Sequence, residues 1–125
     1  MLTYPAPMDY VRRWSDLNVR STITGAEIGL LPGERMVALY ANLSPGTQVP
    51  YQTHPTEQLV HMLGGQLRIW IAHEEFVVGP GEVVLIPPDV PHRGEAVGPE
   101  NAVYLEVLSP VEERYRAMAD AARAR

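Results

Sequence analysis

The chain has 125 residues, a length that fits one domain with a single core. It contains no Cys and all ten basic residues are Arg, which excludes thiolate nucleophiles, disulfides, sulfur-ligated metals and lysine Schiff bases. Acidic residues outnumber basic ones to give a formal net charge of −5, and the longest basic run is Arg12-Arg13. Nucleic acid and membranes are therefore not expected as partners, and the sequence predicts a cytoplasmic protein.

The chain begins with a weak helical signal and continues as a series of short strands. Residues 9–17 are predicted to form a short helix. Pro and Gly then recur in clusters such as Gly64-Gly65, at intervals that leave room only for short strands. The predicted strands are 36–43, 58–63, 66–71, 76–78, 82–86 and 102–108.

Several of these segments alternate apolar and polar residues. Leu67, Ile69 and Ile71 alternate with polar or amphipathic neighbours, which is the period-2 pattern of a sheet with two unlike faces. The pattern predicts an all-β fold, and a closed barrel or jelly roll would hide so many strand edges. The core of this barrel is placed at about residues 20–108 of a single domain covering 1–125.

A helix is predicted to follow the last strand, over about residues 110–123. Ser109 can cap its first turn, Pro110 suits the first helical position, and Glu112 would close a capping box. Arg123 lies near the negative end of the predicted helix dipole.

Two runs in the middle of the chain carry the candidate chemistry. The first extends from Gly46 through His54 and Gln58 to Gly65, and the second from Gly81 through Pro87 to His92. Together they resemble the two sequence motifs of the cupin superfamily. The resemblance implies a double-stranded β-helix in which the first motif supplies two His and one Glu, and the second one His, to a single divalent metal ion.

Transferred residue by residue, the resemblance assigns four ligand positions. Gln52 stands at the first His position, His54 at the second, Gln58 at the Glu position, and His92 at the last. The implied cofactor is one divalent ion, either Zn, Ni, Mn or Fe. Imidazole suits such ions, whereas an amide oxygen is a neutral and weaker ligand. A bound ion would keep its full positive charge, so it would be a strong Lewis acid that is weakly held.

The other two histidines are not predicted to be ligands. His61 has the opposite strand parity to Gln58, which places it on the other face of the sheet. His73 lies between two predicted strands, where a solvated hairpin turn is expected.

Two further residues are candidates for catalysis. Glu106 shares one face of its strand with Tyr104 and Leu108. If that face lines the barrel, burial would raise the pKa of Glu106 and allow it to act as acid or base. If the face meets solvent, Glu106 is an ordinary surface charge. Tyr40 is predicted to face the pocket, where a hydroxyl-bearing aromatic could contact substrate.

A second resemblance concerns function. The region from Pro50 to Gln58, together with Glu106, is similar to small cupins that ketonise unsaturated uronates, and other small cupins like it act on polyketide-like aromatic precursors. Leu108 and Glu112 depart from the first group, which carries Phe and Arg there. The resemblance implies an isomerase, cyclase or lyase acting on a small carbonyl compound. The alternatives are a cupin dioxygenase and a non-catalytic ligand-binding protein with a degenerate metal site.

Cupins often pair through their outer sheet faces, which implies a homodimer.

Overall fold

A computed structural model describes residues 10–124 of the chain. Ten strands form two antiparallel sheets, and one helix follows them. The strands are β1 (Asn18–Val19), β2 (Ala26–Pro32), β3 (Val37–Leu43), β4 (Gln48–Gln52), β5 (Glu57–Gly64), β6 (Leu67–Ile71), β7 (Glu74–Val78), β8 (Val83–Ile86), β9 (His92–Ala96) and β10 (Ala102–Ser109). The helix is α1 (Glu113–Arg123).

The two sheets face each other as a jelly roll. The larger sheet has the strand order β1-β2-β3-β10-β5-β8, and the smaller has the order β4-β9-β6-β7. Strands distant in sequence are therefore neighbours, because the last strand, β10, lies between β3 and β5. This crossing brings both motif regions and the C-terminal strand to the inside of one barrel, so the predicted all-β fold is confirmed.

The core lies between the two sheets and follows from the alternation of residues. On β3 the side chains of Val37, Leu39, Ala41 and Leu43 are buried, whereas the residues between them are only half-buried. The same period-2 pattern runs along the other central strands, so one row of side chains from each strand fills the barrel. The polar residues that interrupt these inward rows therefore become candidates for function.

Four of the ten strands, β1, β2, β4 and β9, were not predicted, and in β4 and β9 the composition hides the strand pattern. β4 contains Pro50, and β9 is short and polar with Gly94 at its centre. Both pair with each other in the smaller sheet. Neighbouring strands supply the hydrogen bonds here, so strand formation depends on tertiary pairing more than on local propensity.

The N-terminal segment differs from the prediction. A single 3-10 turn at Trp14–Asp16 replaces the helix expected over 9–17, and residue 9 lies outside the described part of the chain. Trp14 stacks on Tyr40, with 5.6 Å between ring centroids, and also lies against Gly29. These contacts with the larger sheet hold the segment in an irregular conformation.

The start of the C-terminal helix also corrects the prediction. The N-cap is Glu112, not Ser109, and no side chain caps the first turn. The Ser109 hydroxyl instead donates to the carbonyl oxygen of Arg35 at 2.7 Å. The Glu112 carboxylate accepts a hydrogen bond from Arg114 at 2.9 Å. The capping box is therefore absent because both of its side chains have partners elsewhere.

Helix α1 packs across the large sheet near β1 and β2. It buries Tyr115 and Ala119, while Met118 packs against the core from the same side.

With eleven residues, α1 is too short to span a bilayer, and none of the helices in the described residues is both long and apolar enough to do so.

Candidate metal centre and active site

Four strands and one loop bring the predicted site residues together. Gln52 ends β4 and pairs in register with His92, the first residue of β9. His54 follows in the loop, and Gln58 lies on β5 with its side chain buried. Glu106 lies in the middle of β10, beside β5 in the larger sheet. Residues separated by as many as 54 positions thus meet inside one barrel.

All of these residues except His54 line one or both of two adjoining cavities. A cavity of about 170 Å³ lies between the barrel and α1, and a smaller one of about 20 Å³ lies beside His92 and Gln58. Gln52, Tyr104 and Glu106 line both. Glu106 therefore lies between the predicted metal ligands and the space that could hold a small molecule.

His54 is held by hydrogen bonds at both ring nitrogens. Its Nε2 is 3.0 Å from Oε1 of Gln58, and its Nδ1 is 2.6 Å from the hydroxyl of Thr56. Gln58 donates from Nε2 to the Glu106 carboxylate at 2.8 Å, which leaves its oxygen facing His54. In this arrangement His54 donates from Nε2 and accepts at Nδ1 from Thr56.

His92 carries its proton on the other ring nitrogen from His54. Its Nδ1 is 2.9 Å from the carbonyl oxygen of Val90, so this nitrogen carries the proton and donates. Burial lowers the pKa of His92; the bond to Val90 opposes this effect and the nearby His54 adds to it. The remaining nitrogen, Nε2, is buried and has no hydrogen-bond partner among the described residues. It presents a free lone pair on a neutral ring.

Glu106 has an unusual acidity for a carboxyl group. Burial raises its pKa to about 7, while the hydrogen bond from Gln58 and the charge of Arg114 oppose the shift. Its side chain retains some accessible surface because it lines the cavity, yet protein atoms surround it. Near neutral pH, Glu106 can therefore both hold and release a proton, as general acid–base chemistry requires.

The donors at this site fit a divalent ion, although they do not form a conventional charged metal site. Among residues 10–124, no group of three or more His, Cys, Asp or Glu side chains is arranged to hold a metal. The ring centroids of His54 and His92 nevertheless lie 4.8 Å apart. Nε2 of His92 is buried without a hydrogen-bond partner, so its lone pair is available to a metal ion. A neutral set of two imidazoles with amide oxygens is compatible with this geometry.

The structure decides the open question about strand β10. Tyr104 and Leu108 are buried inside the barrel, and Glu106 projects on the same side. The surface-charge alternative for Glu106 is therefore wrong.

The prediction for Tyr40 is wrong. On β3 the inward positions are Leu39 and Ala41, so Tyr40 projects outward and stacks on Trp14. It lines neither cavity of the site. The physical reason is strand parity, because one position along a strand reverses the face.

The two remaining histidines lie where they were predicted. His61 is outside the barrel, since Val60 and Met62 on either side of it are the buried residues of β5. His73 lies in the turn between β6 and β7.

Several residues of the candidate site were missed from sequence. Arg114 and Tyr115 on α1 line the larger cavity, and Arg114 donates to the Tyr115 hydroxyl at 3.0 Å. Thr56 is fully buried against His54. Thr56 lies inside the first motif run, between His54 and Gln58, but a Thr there has no distinctive signal. Arg114 could be found only once the helix was known to cross the cavity.

Comparison with known proteins identifies the family. The model of the cupin domain matches residues 39–108, which is more than half of the chain. The chain is a cupin. The polyketide synthase CurC of Streptomyces cyaneus is 30% identical to this cupin over 101 residues, which are 80% of this chain and 62% of CurC. The cupin thus spans less than two thirds of that relative's length.

Solved structures agree on the fold of this cupin. An RmlC-like cupin from Shewanella frigidimarina superposes with a TM-score of 0.77 at 16% identity, covering 86% of this chain and 96% of the other. KdgF from a Halomonas species superposes with a TM-score of 0.72 at 15% identity, covering 80% and 92% of the two chains. At these identities the likeness establishes the architecture alone.

Proposed function

We propose that this cupin holds one divalent metal ion and catalyses an isomerisation, cyclisation or lyase reaction on a small carbonyl compound. One observation carries the proposal: a buried carboxyl group, Glu106, with a pKa of about 7 lies between the candidate metal donors and an apolar cavity. Proton transfer beside a carbonyl group needs such a base close to an electrophile.

The residues of the site would have distinct roles. His54, His92, Gln58 and Gln52 would hold the ion, which when bound supplies a Lewis acid that polarises a carbonyl oxygen. Glu106 takes the proton from the carbon beside the carbonyl group and returns it to another position. Gln58 orients Glu106 through its 2.8 Å hydrogen bond. Aliphatic side chains of the cavity wall, such as Leu39 and Met118, would limit the access of water to the proton being moved.

The cavity supports a small and largely apolar substrate. Its volume is about 170 Å³, and aliphatic side chains such as Leu39 and Met118 form much of its wall. Arg114 and Tyr115 supply polar groups at the side formed by α1. Polyketides are rich in carbonyl groups, so the similarity to a polyketide synthase is consistent with a carbonyl substrate for this shorter chain.

A non-catalytic ligand-binding protein is the second candidate function. The hydrogen bonds from Thr56 through His54 and Gln58 to Glu106 let these polar groups satisfy one another. Such a pocket could bind an apolar ligand with no metal present. Metal stoichiometry distinguishes the two candidates.

The proposed function is tested by metal analysis of the purified protein and of His92→Ala. After dialysis against Zn, Ni, Mn or ferrous ions in separate samples, we expect about one ion per wild-type chain for at least one metal and a large loss in the variant. His61→Ala is the matched control, because the His61 side chain lies on the outer face of β5, away from the candidate metal site inside the barrel. Equal, negligible metal content in all three proteins would contradict the proposal. Iron at one per chain, with oxygen consumption, would favour a dioxygenase instead.

Activity provides a second test of the same function. Small ketones and 1,3-dicarbonyl compounds are used as probes, and hydrogen–deuterium exchange beside the carbonyl group is followed by NMR. Removing a general base lowers rates by roughly 10²–10⁴-fold, so Glu106→Gln should reduce the enzyme-dependent exchange by that factor. Exchange that is equally fast in Glu106→Gln would rule out the role of Glu106.

We also propose that this cupin forms a homodimer through the outer face of the larger sheet. Apolar side chains more than one third exposed cover β5, β8 and β10 on that face: Leu59, Leu63, Val83, Leu85 and Val107. Two ionisable side chains share the outward row of β5: His61, whose cross-strand neighbours are Leu105 and Val83, and Glu57 at the end of the strand beside Ser109. Contiguous apolar surface of this kind marks an interface, and an apolar patch with its charged residue, Glu57, at the edge is complementary to a copy of itself.

Leu59→Lys tests the dimer, because Leu59 lies between Val107 and Leu85 at the centre of this face. We expect light scattering after size exclusion to report a dimer for the wild type and a monomer for the variant. Val77→Lys is the control, since Val77 is 49% exposed but belongs to the other sheet. A wild-type monomer, or a dimer that survives Leu59→Lys, would contradict this interface.

A further inference from the structure

We infer that Thr56 and Glu112 are positioning residues that set the tautomer of His54 and thereby the metal affinity of the site. The part that concerns metal rests on the proposed function, whereas the part that concerns the tautomer does not. Neither residue belongs to the predicted ligand set, and Glu112 lies 54 positions from Gln58 along the chain.

The inference starts from a continuous row of polar groups. From the helix inward, Arg114 donates to Glu112 at 2.9 Å, and the Thr56 hydroxyl lies 3.5 Å from the other oxygen of Glu112. That hydroxyl is 2.6 Å from Nδ1 of His54, whose Nε2 leads on to Gln58. Gln58 in turn donates to Glu106, so the row runs from Arg114 to Glu106. Both of these end residues line the larger cavity.

The Thr56 hydroxyl can support His54 in two ways. It can donate to Nδ1, which leaves the proton of His54 on Nε2, where it is donated to Gln58. Alternatively it can turn toward Glu112 and accept the proton of Nδ1, with the Thr56 carbonyl oxygen as a second acceptor 3.2 Å from the same nitrogen. In the second arrangement the lone pair of Nε2 is free to bind a metal ion, since a ligating imidazole donates from its other nitrogen.

Glu112 makes the second arrangement accessible when a metal ion takes the lone pair of Nε2. Its carboxylate accepts the hydroxyl proton and places a negative charge behind His54, which increases the basicity of the ligating nitrogen. The four predicted ligands are all neutral, so this indirect charge is what the site offers in place of a carboxylate ligand. Thr56 has no exposed surface, so water cannot readily replace its hydroxyl.

The first experiment measures the tautomer in metal-free protein by long-range ¹⁵N–¹H NMR of the histidine rings. Thr56→Val keeps the shape of the side chain but removes the hydroxyl, and Thr56→Ser keeps the hydroxyl. We expect His54 in one predominant Nε2–H tautomer in the wild type and in Thr56→Ser, and a mixture in Thr56→Val. His92 provides an internal reference, because its Nδ1 donates to the carbonyl oxygen of Val90 and the Thr56 substitutions remove no group from that contact.

The second experiment titrates the same proteins with Co²⁺ and follows its visible absorption. Loss of a group that orients a metal ligand costs 10–100-fold in affinity, so Thr56→Val should bind Co²⁺ weaker by roughly that factor, with rescue by Thr56→Ser. Glu112→Gln should weaken binding in the same direction. Glu113→Gln is the matched control, because the Glu113 side chain is 88% exposed and pairs with Arg116.

The outcomes separate this inference from the proposed function. If wild-type protein binds no Co²⁺ but the tautomer still depends on Thr56, the metal role fails and the positioning role stands. If Co²⁺ binds the wild type and Thr56→Val equally, with the same tautomer in both, the inference is overturned while the proposed function survives. Folding of Thr56→Val is checked by the unchanged ring signals of His92.

Discussion

Glu106→Gln is expected to stabilise the protein above pH 7 by up to about 3 kcal/mol, because the folded state raises the pKa of this carboxyl group from 4.5 to about 7. Burial disfavours the carboxylate, so the folded state binds the proton more tightly than the unfolded state does. The stability associated with protonated Glu106 is fully present below pH 4.5 and is lost as the pH rises toward 7. Gln carries no charge at any of these pH values and avoids that loss.

Urea unfolding between pH 4 and pH 9, in the presence of a chelator, measures this difference. The two free-energy curves should meet near pH 4 and separate progressively up to about pH 7, with Glu106→Gln the more stable protein. Glu113→Gln serves as the control, since it removes the same charge from an exposed position. Curves for wild type and Glu106→Gln that run parallel over the whole range would show that Glu106 is not perturbed. A stabilised but inactive variant would be typical of an active-site residue, where function is retained at a cost in stability.

Gln52→His is expected to tighten binding of Zn²⁺ or Ni²⁺ by roughly 100-fold, or about 3 kcal/mol. Gln52 pairs with His92 between β4 and β9 and lines both cavities, so an imidazole there could join the other donors. An imidazole nitrogen binds these ions more strongly than a neutral amide oxygen. The change would restore the ligand that the family pattern predicts at this position.

Calorimetric titration and metal-dependent thermal shifts both measure the gain. Gln48→His is the control, because Gln48 lies on the same strand but is exposed and bonded to Glu95 on the outer surface. A gain for Gln52→His but not for Gln48→His would support a metal centre weakened by Gln52. Undetectable binding in the wild type that persists in Gln52→His would instead favour the non-catalytic ligand-binding protein.

Much of the barrel could be predicted because its signals are local. The strands around Leu67 and Val103 show the period-2 pattern directly, and the structure confirms them. β4 and β9 were missed because Pro50 and Gly94 hide the pattern, and pairing with each other decides their conformation. Local propensity is weak evidence wherever neighbouring strands supply the hydrogen bonds.

The candidate site was predictable to a similar extent. His54, Gln58 and His92 stand at motif spacings, and the structure brings them together with Gln52. Tyr40 was assigned to the wrong face, because parity along β3 can be fixed only when the buried row is known. The parity of Glu106 was likewise undecided until β10 was found between β3 and β5.

By itself, the sequence determined the strand periodicity, the two motifs and the absence of Lys and Cys chemistry, since these depend on residue identity and short spacings. Only the tertiary structure decided that Glu106 is buried with a raised pKa, that the Thr56 hydroxyl contacts His54, and that Glu112 at the start of α1 contacts Thr56. These properties arise between residues about 50 positions apart in the chain. Desolvation and hydrogen bonding depend on which atoms surround a group, and folding alone sets that environment.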